Sequence, residues 1–247
     1  MVRKLTKAIL VVIMLFMVPK AGIAGSTASV DVMSNYVWRG QNLVNDGVVI
    51  QPAVGLEKDN IAIGFWTNYS TDSGENTETD LTLSYSGSVD KLSYEIGYIH
   101  YDLINSADTQ EIYLSLSYDT ILSPYVTLYY DFDEGDGAFA IIGGGHSMAV
   151  AGYTVNCGAL VGINFDDETM GYDENGDVFT GFYYGEVNLS VDIPWGEITV
   201  TPKVAYSFAL GDGEDAIKAV NQNTYMATSS GTDTDVLYGG VGFSMEF

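Results

Sequence analysis

The sequence predicts an all-β protein, a transmembrane antiparallel up-and-down β-barrel of about twelve strands. Three observations predict it. Apolar residues alternate with polar ones through almost the whole chain, which is the period of a strand with two different faces. The stretches between these alternating runs are short and long by turns. After residue 24 no apolar run reaches the roughly 18 residues that would announce a spanning helix.

The first 24 residues stand apart. Arg3, Lys4 and Lys7 form a basic head, and Ala8 to Val18 is wholly apolar. That core is about eleven residues, short of the ~20 a spanning helix needs. Pro19 and Lys20 end it, and Gly22-Ile23-Ala24 offers a small-x-small cut before Gly25; a second cut could follow Ser26-Thr27-Ala28. This is the tripartite form of a secretory signal peptide. The expected organisation is a cleaved leader, 1–24, and a single outer-membrane barrel domain, 25–247. No cysteine lies near either cut, which argues against a lipid anchor.

Charge narrows the partners. The chain holds 9 Lys and Arg against 33 Asp and Glu, and four of the bases lie in the leader. The remainder keeps 5 bases against 33 acids, a formal charge of −28. Such a molecule repels nucleic-acid phosphates and attracts cations. Cys157 is the one cysteine, so no internal disulfide or zinc spacing exists, and a small wall residue is its expected role.

The strands follow in order. Val30, Val32, Tyr36 and Trp38 share one parity, then Val48, Ile50, Val54 and Leu56, then Ile61, Ile63, Phe65 and Tyr69. Leu81, Leu83 and Tyr85 make the fourth set; Leu92, Tyr94, Ile96 and Tyr98 the fifth; Ile112, Leu114, Leu116 and Tyr118 the sixth. Leu122, Val126, Leu128 and Tyr130 continue. Residues 137–146 are the weakest, with Phe139 and Ile141 leading into Gly143-Gly144-Gly145. Tyr153, Val155, Cys157, Val161, Ile163 and Phe165 resume, followed by Phe179, Tyr183, Val187, Leu189, Val191 and Ile193. Ile198, Val200, Val204, Tyr206, Phe208 and Leu210 precede the last set, Leu237, Val241, Phe243, Met245 and Phe247.

The connections support a barrel over a sandwich. Lys58-Asp59, Gly87 to Asp90, Asp119 to Ile121, a turn near Ser147 and Trp195-Gly196 are short. Between them lie 41–47, 70–78, 102–109, 132–137, 166–178 and 211–233, longer and mostly acidic. Short periplasmic turns alternating with longer outer loops, with both termini periplasmic, is the pattern of outer-membrane barrels. Pro194 is expected opposite Glu197, and Glu57 opposite Asn60. Tyr36, Trp38, Tyr69, Tyr98 and Tyr130 share the apolar parity near outer strand ends and are expected in an aromatic girdle; Trp66, Tyr101 and Tyr129 lie nearby on the other parity.

One segment carries a resemblance. Ser34-Asn35-Tyr36-Val37-Trp38-Arg39-Gly40-Gln41, near the start of the mature chain, together with the aromatic carboxy-terminus Phe247, resembles the TorF-type putative porins of Gram-negative outer membranes. The likeness covers about the first 40 mature residues and the last one. It implies a small exported barrel and a pore, and says little about the solute.

Catalytic signatures are missing. The chain has His100 and His146 only; neither forms the His-x-Ser pair of the outer-membrane phospholipases that share this architecture, and no Gly-x-Ser-x-Gly elbow occurs. No cofactor is expected. Asp173-Glu174-Asn175-Gly176-Asp177 differs from an EF-hand loop, with Gly at position 4 and no Glu at position 12, and reads as a solvated acidic loop; with Asp166, Asp167 and Glu168 nearby, weak divalent-cation binding is the alternative.

The inward parity is the informative face. It carries Glu57, Asp80, Glu95, Glu111, Asp131, Glu186, Asp192 and Glu197 against Arg39, Lys91 and Lys203. Unpaired charges in a dry core cost several kcal/mol, so about eight acids imply a wet lumen. The expected activity is narrow, non-enzymatic diffusion of small cationic or neutral solutes. Its rivals are a plugged structural barrel, with Arg39 and Lys203 neutralising acids and outer loops binding divalent cations or lipopolysaccharide, and an outer-membrane hydrolase. Expected partners are lipid and lipopolysaccharide around the wall, small solutes, and the barrel-assembly machinery through the strand ending at Phe247.

Overall fold

A computed structural model describes residues 25–44, 47–104, 106–223 and 234–247; the expected leader, 1–24, lies outside them. Alternation becomes twelve strands: β1 (Thr27–Met33), β2 (Val49–Lys58), β3 (Ile61–Ser70), β4 (Asn76–Val89), β5 (Leu92–Leu103), β6 (Thr109–Tyr118), β7 (Tyr125–Asp131), β8 (Gly137–Val150), β9 (Tyr153–Phe165), β10 (Gly181–Trp195), β11 (Ile198–Ala209) and β12 (Val236–Glu246). Each pairs antiparallel with its neighbours, and β12 returns to β1 from Thr27 opposite Glu246 to Met33 opposite Gly240. The sheet therefore closes without an edge, as a β-structure in hydrocarbon must. The one α-helix among the described residues, α1 (Gly213–Asn223), lies in the loop between β11 and β12.

The expected faces hold on most strands. Ile61, Ile63 and Phe65 on β3, Leu81 and Leu83 on β4, Leu114 on β6, Leu128 on β7 and Val187 and Leu189 on β10 are exposed on the outside. Aromatic side chains mark both ends of this apolar wall: Tyr130, Phe132, Phe165, Phe182 and Tyr206 toward the long loops, and Tyr85, Tyr118, Tyr153 and Trp195 toward the short turns. An apolar belt between two aromatic girdles is the surface of a membrane β-barrel.

The turns correct the expected register. Lys58 pairs with Ile61, so Asp59 and Asn60 form the turn, with φ of 52° and 70°. Trp195 pairs with Ile198 and Pro194 with Thr199, leaving Gly196 and Glu197 at the bend, with φ of 68° at Gly196. A two-residue hairpin turn needs positive φ at one or both central positions, so Asp-Asn and Gly-Glu are drawn into it. Each pairing moves by one residue on both strands, and the inward faces stay as expected. The turn expected near Ser147 falls at Ala151-Gly152.

Three strands depart further. β1 stops at Met33, so Tyr36 and Trp38 leave the wall and are not girdle residues. β8 has the opposite sense at its weak end: Phe139 is fully buried inside, opposite Tyr129, and Ile142 is exposed outside. On β10, pairing passes from Gly162–Tyr184 to Ile163–Phe182, so Tyr183 is the extra residue of a bulge. The bulge turns Tyr183 inward, fully buried, against the outward position that alternation assigned it.

Candidate functional site

The site is the interior of the barrel, and its long-loop half is filled by the chain itself. After β1 the chain turns inward and forms a small hairpin, Val37–Trp38 against Gln41–Asn42. Its two turn residues, Arg39 and Gly40, have φ of 47° and 83°, the geometry of a type I′ turn. Gly40 is required twice over, because a Cβ there would also stand 2.7 Å from the Cβ of Tyr184. The hairpin so places Arg39 at its tip.

Arg39 is held on every side. Its Nη1 and Nη2 donate to the two oxygens of Glu111, both at 2.7 Å. The guanidinium carbon lies 4.5 Å from the ring centre of Trp38, 4.3 Å from Tyr129 and 4.9 Å from Phe139. A planar cation among π faces with a bidentate carboxylate is a strong arrangement for arginine and a poor one for lysine. Burial works against the charge of Arg39, but the Glu111 carboxylate together with Tyr101 and Tyr129 holds the guanidinium above its usual value. Tyr101 also donates to Glu111, at 2.8 Å.

Two further loops pack onto the hairpin. Gln41 donates to the carbonyl of Thr169 and to the hydroxyl of Tyr183, each at 3.2 Å. The backbone N–H of Asn42 donates to Asn221 on α1 at 3.2 Å. Met170, Phe179, Tyr183, Tyr184, Ala216 and Ile217 join Phe139 in one buried cluster, against which Trp38 and Tyr129 pack. Residues 166–180 and α1 thus complete a plug around this apolar cluster. On its long-loop side a cavity of about 520 Å³ is lined by residues including Trp38, Glu78, Tyr101, Glu134, Glu168 and Tyr172.

The expected inward charges divide into two groups. Arg39, Glu111 and Asp131 come together in the plug joint with Asp167, which alternation could not single out. The rest stand along the wall or in its short turns. Asp80 pairs in register with Trp66 and Tyr101. Glu95 accepts from Tyr113 at 2.5 Å. Glu186 accepts from Tyr238 at 2.7 Å and Asn188 at 3.3 Å. Asp192 accepts from Asn156 and Thr201, both at 2.9 Å. Lys203 is tied to Asp31 at 2.8 Å, an inward acid legible from its place between Val30 and Val32. Glu57 is exposed at the short-turn end of β2, and Lys91 and Glu197 sit in turns. Glu197 is therefore not on the strand where it was expected. Ser86, Ser88, Ser93, Ser115 and Ser117 line a polar recess beside Glu95 toward the short-turn end.

Burial corrects one expectation. Glu111 and Asp131 are 0% and 1% exposed, so they belong to a dry joint and not to a wet wall. Asp167 is equally buried; burial raises its carboxyl above the usual range, partly offset by hydrogen bonds from Thr169 and by Arg39. A carboxylate oxygen from each of the three lies within 4.8 Å of the others. The exposed Asp173 is different: backbone N–H groups of Asp177 and Asn175 donate to it and lower its carboxyl, which makes it a local turn. His100 lies on the outer face beside Leu81 and Gln110, and His146 on the outer face beside Cys157, with Nδ1 at 2.8 Å from the Ile121 carbonyl.

No protein-family model and no curated protein sequence matches this chain. Solved structures do. A NanC porin matches over 89% of this chain and 100% of its own, at 13% identity and a TM-score of 0.56. This is the fold of the NanC porin. A KdgM porin matches over 90% and 99%, at 12% identity and 0.52, and LpxR from Salmonella typhimurium over 90% and 100%, at 9% identity and 0.52. Identities this low carry the barrel fold alone.

Proposed function

We propose that this chain is a porin-type channel of the bacterial outer membrane that passes small cationic or neutral solutes by diffusion, its outer entrance narrowed by the infolded first loop. One observation carries the reading. Among the described residues, Glu95, Glu186 and Asp192 face the interior with hydrogen-bond donors but no base, whereas Arg39 and Lys203 are each already tied to a carboxylate. The uncompensated charge of the lumen is negative, and carboxylates along a pore favour cations. A KdgM porin has been solved with oligogalacturonate. That polymer is acidic, and this wall would repel it.

The long loops face outward and the short turns the periplasm in this reading, with the leader supplying export. The resemblance of Ser34 to Gln41 to the TorF-type porins points the same way, although in this chain the segment builds the plug. Lipid and lipopolysaccharide surround the girdled wall, and the strand ending at Phe247 is the signal for the assembly machinery. No catalytic role is assigned, since both histidines stand on the outer face.

A second reading has an observation of its own: the fully buried Arg39–Glu111 joint favours a closed, structural barrel. Planar-bilayer recording on purified protein separates the two. A reversal potential of cation-selective sign across a KCl gradient supports the channel, and the anion-selective sign refutes the lumen assignment. Silence from both the wild type and an Arg39→Gln variant establishes the structural barrel.

A further inference from the structure

The plug joint holds more acid than base. Glu111 comes from β6, Asp131 from the end of β7 and Asp167 from the loop after β9, and a carboxylate oxygen of each lies within 4.8 Å of the others. Among the described residues Arg39 is the one base in contact, so the buried cluster carries a formal charge of −2. Most of its oxygens have partners. Both of Glu111 accept from Arg39, and those of Asp131 accept from the Asp133 N–H at 2.9 Å and the Thr109 hydroxyl at 2.6 Å. Oδ1 of Asp167 accepts from the N–H and hydroxyl of Thr169 at 2.9 and 2.6 Å. Oδ2 of Asp167 is different. It is buried, accepts no hydrogen bond among the described residues, and faces the joint 3.9 Å from Nη1 of Arg39. A buried carboxylate oxygen without a donor is costly and needs a partner.

We propose that a divalent cation of the calcium class binds among Glu111, Asp131 and Asp167 and fastens the plug to the barrel wall. The donors are all oxygen, which suits a hard cation. At Ca–O distances of about 2.3–2.6 Å two ligands of one ion stand at most about 5 Å apart, a limit the cluster meets. The charge closes as well: a doubly positive ion with Arg39 balances three carboxylates. Because the ligands come from two wall strands and a plug loop, the ion binds the seated plug and not the displaced one. The site is distinct from the exposed Asp173 turn. It does not rest on the channel reading, since binding is measured without conductance.

Terbium luminescence on the folded barrel in detergent, after chelator treatment, tests this directly. Trp38, Tyr101 and Tyr129 stand close enough to sensitise a bound lanthanide. One saturable site, displaced by calcium, is expected. Asp167→Asn keeps an acceptor for Thr169 and removes the charge, and should weaken binding at least about tenfold; Asp173→Asn should leave it unchanged. Native mass spectrometry should count one calcium per wild-type barrel and none in Asp167→Asn. Asp131→Asn serves if that variant fails to give heat-modifiable, folded protein. A folded wild type with no saturable site overturns the proposal, as does a site that survives both joint variants but disappears in Asp173→Asn.

Discussion

Arg39 and Glu111, 72 residues apart in sequence, meet through two parallel 2.7 Å hydrogen bonds where their side chains are 4% and 1% exposed. The pair joins the tip of the first loop to the barrel wall. Its geometry explains why the tip is arginine: only a planar fork satisfies both oxygens of a carboxylate while lying against aromatic rings. It also fixes the seated hairpin, because a hairpin seated without Arg39 would bury Glu111 with no countercharge.

Arg39→Gln should therefore release the plug. Removing one partner of a buried pair costs about 3–5 kcal/mol, most of it from the charge left behind. The expected result is higher single-channel conductance and faster proteolysis within residues 34–48. Arg39→Met with Glu111→Leu removes both charges and should restore most of the closure. If the double variant conducts as freely as Arg39→Gln, the stranded carboxylate is not the cause.

Much of the wall was legible because lipid on one side and polar groups on the other impose a strict period of two. The plug was not, and the reason is physical. Tyr36, Trp38, Phe139 and Tyr183 are apolar and aromatic because they pack inside a core, and alternation cannot tell that surrounding from lipid. Turn register escaped for a similar reason: Lys58-Asp59 and Asp59-Asn60 both suit a bend, and the backbone conformation decides between them. Asp167 lies in a run of acids that marks none of them. Thr127 shows the limit of parity. Its place between Val126 and Leu128 points it inward, yet at 7% exposure it is buried and not in open water.

The two faces of β4 should respond differently to the same substitution. Leu83 is exposed to lipid near the middle of the strand, and Ser86 faces the polar recess. Leu83→Arg should cost about 2–4 kcal/mol, the range for a cation near the bilayer midplane. Ser86→Arg should cost much less, because its charge stays in water. Denaturant unfolding in lipid vesicles measures both, and equal costs would contradict the assigned faces.

Deleting Phe247 should reduce assembly. β12 presents Leu237, Val241, Phe243 and Met245 on its outer face, and the N–H of Phe247 donates to the Ser26 carbonyl across the barrel seam at 3.0 Å. The terminal aromatic thus belongs both to the proposed assembly signal and to closure between first and last strands. The folded, heat-modifiable fraction in the outer membrane should fall; a normal amount after deletion would remove Phe247 from both roles.

Lys203 tests the origin of selectivity. It lies mid-strand on β11, and its ammonium contacts Asp31 at 2.8 Å, each side chain about one-third exposed. The pair cancels one wall acid and leaves Glu95, Glu186 and Asp192 to set the sign of the field. Lys203→Gln frees Asp31, so the cation preference of the pore should rise. Asp31→Asn frees Lys203 instead and should lower it. Both changes should be largest in dilute salt, because the screening length falls from about 10 Å at 0.1 M to about 3 Å at 1 M. The reversal potential across a KCl gradient, recorded at both ionic strengths, gives the sign and its screening together. Opposite shifts for the two variants place selectivity in the wall. Identical reversal potentials for wild type and both variants would move it to the outer loops, whose acids stand beyond the plug.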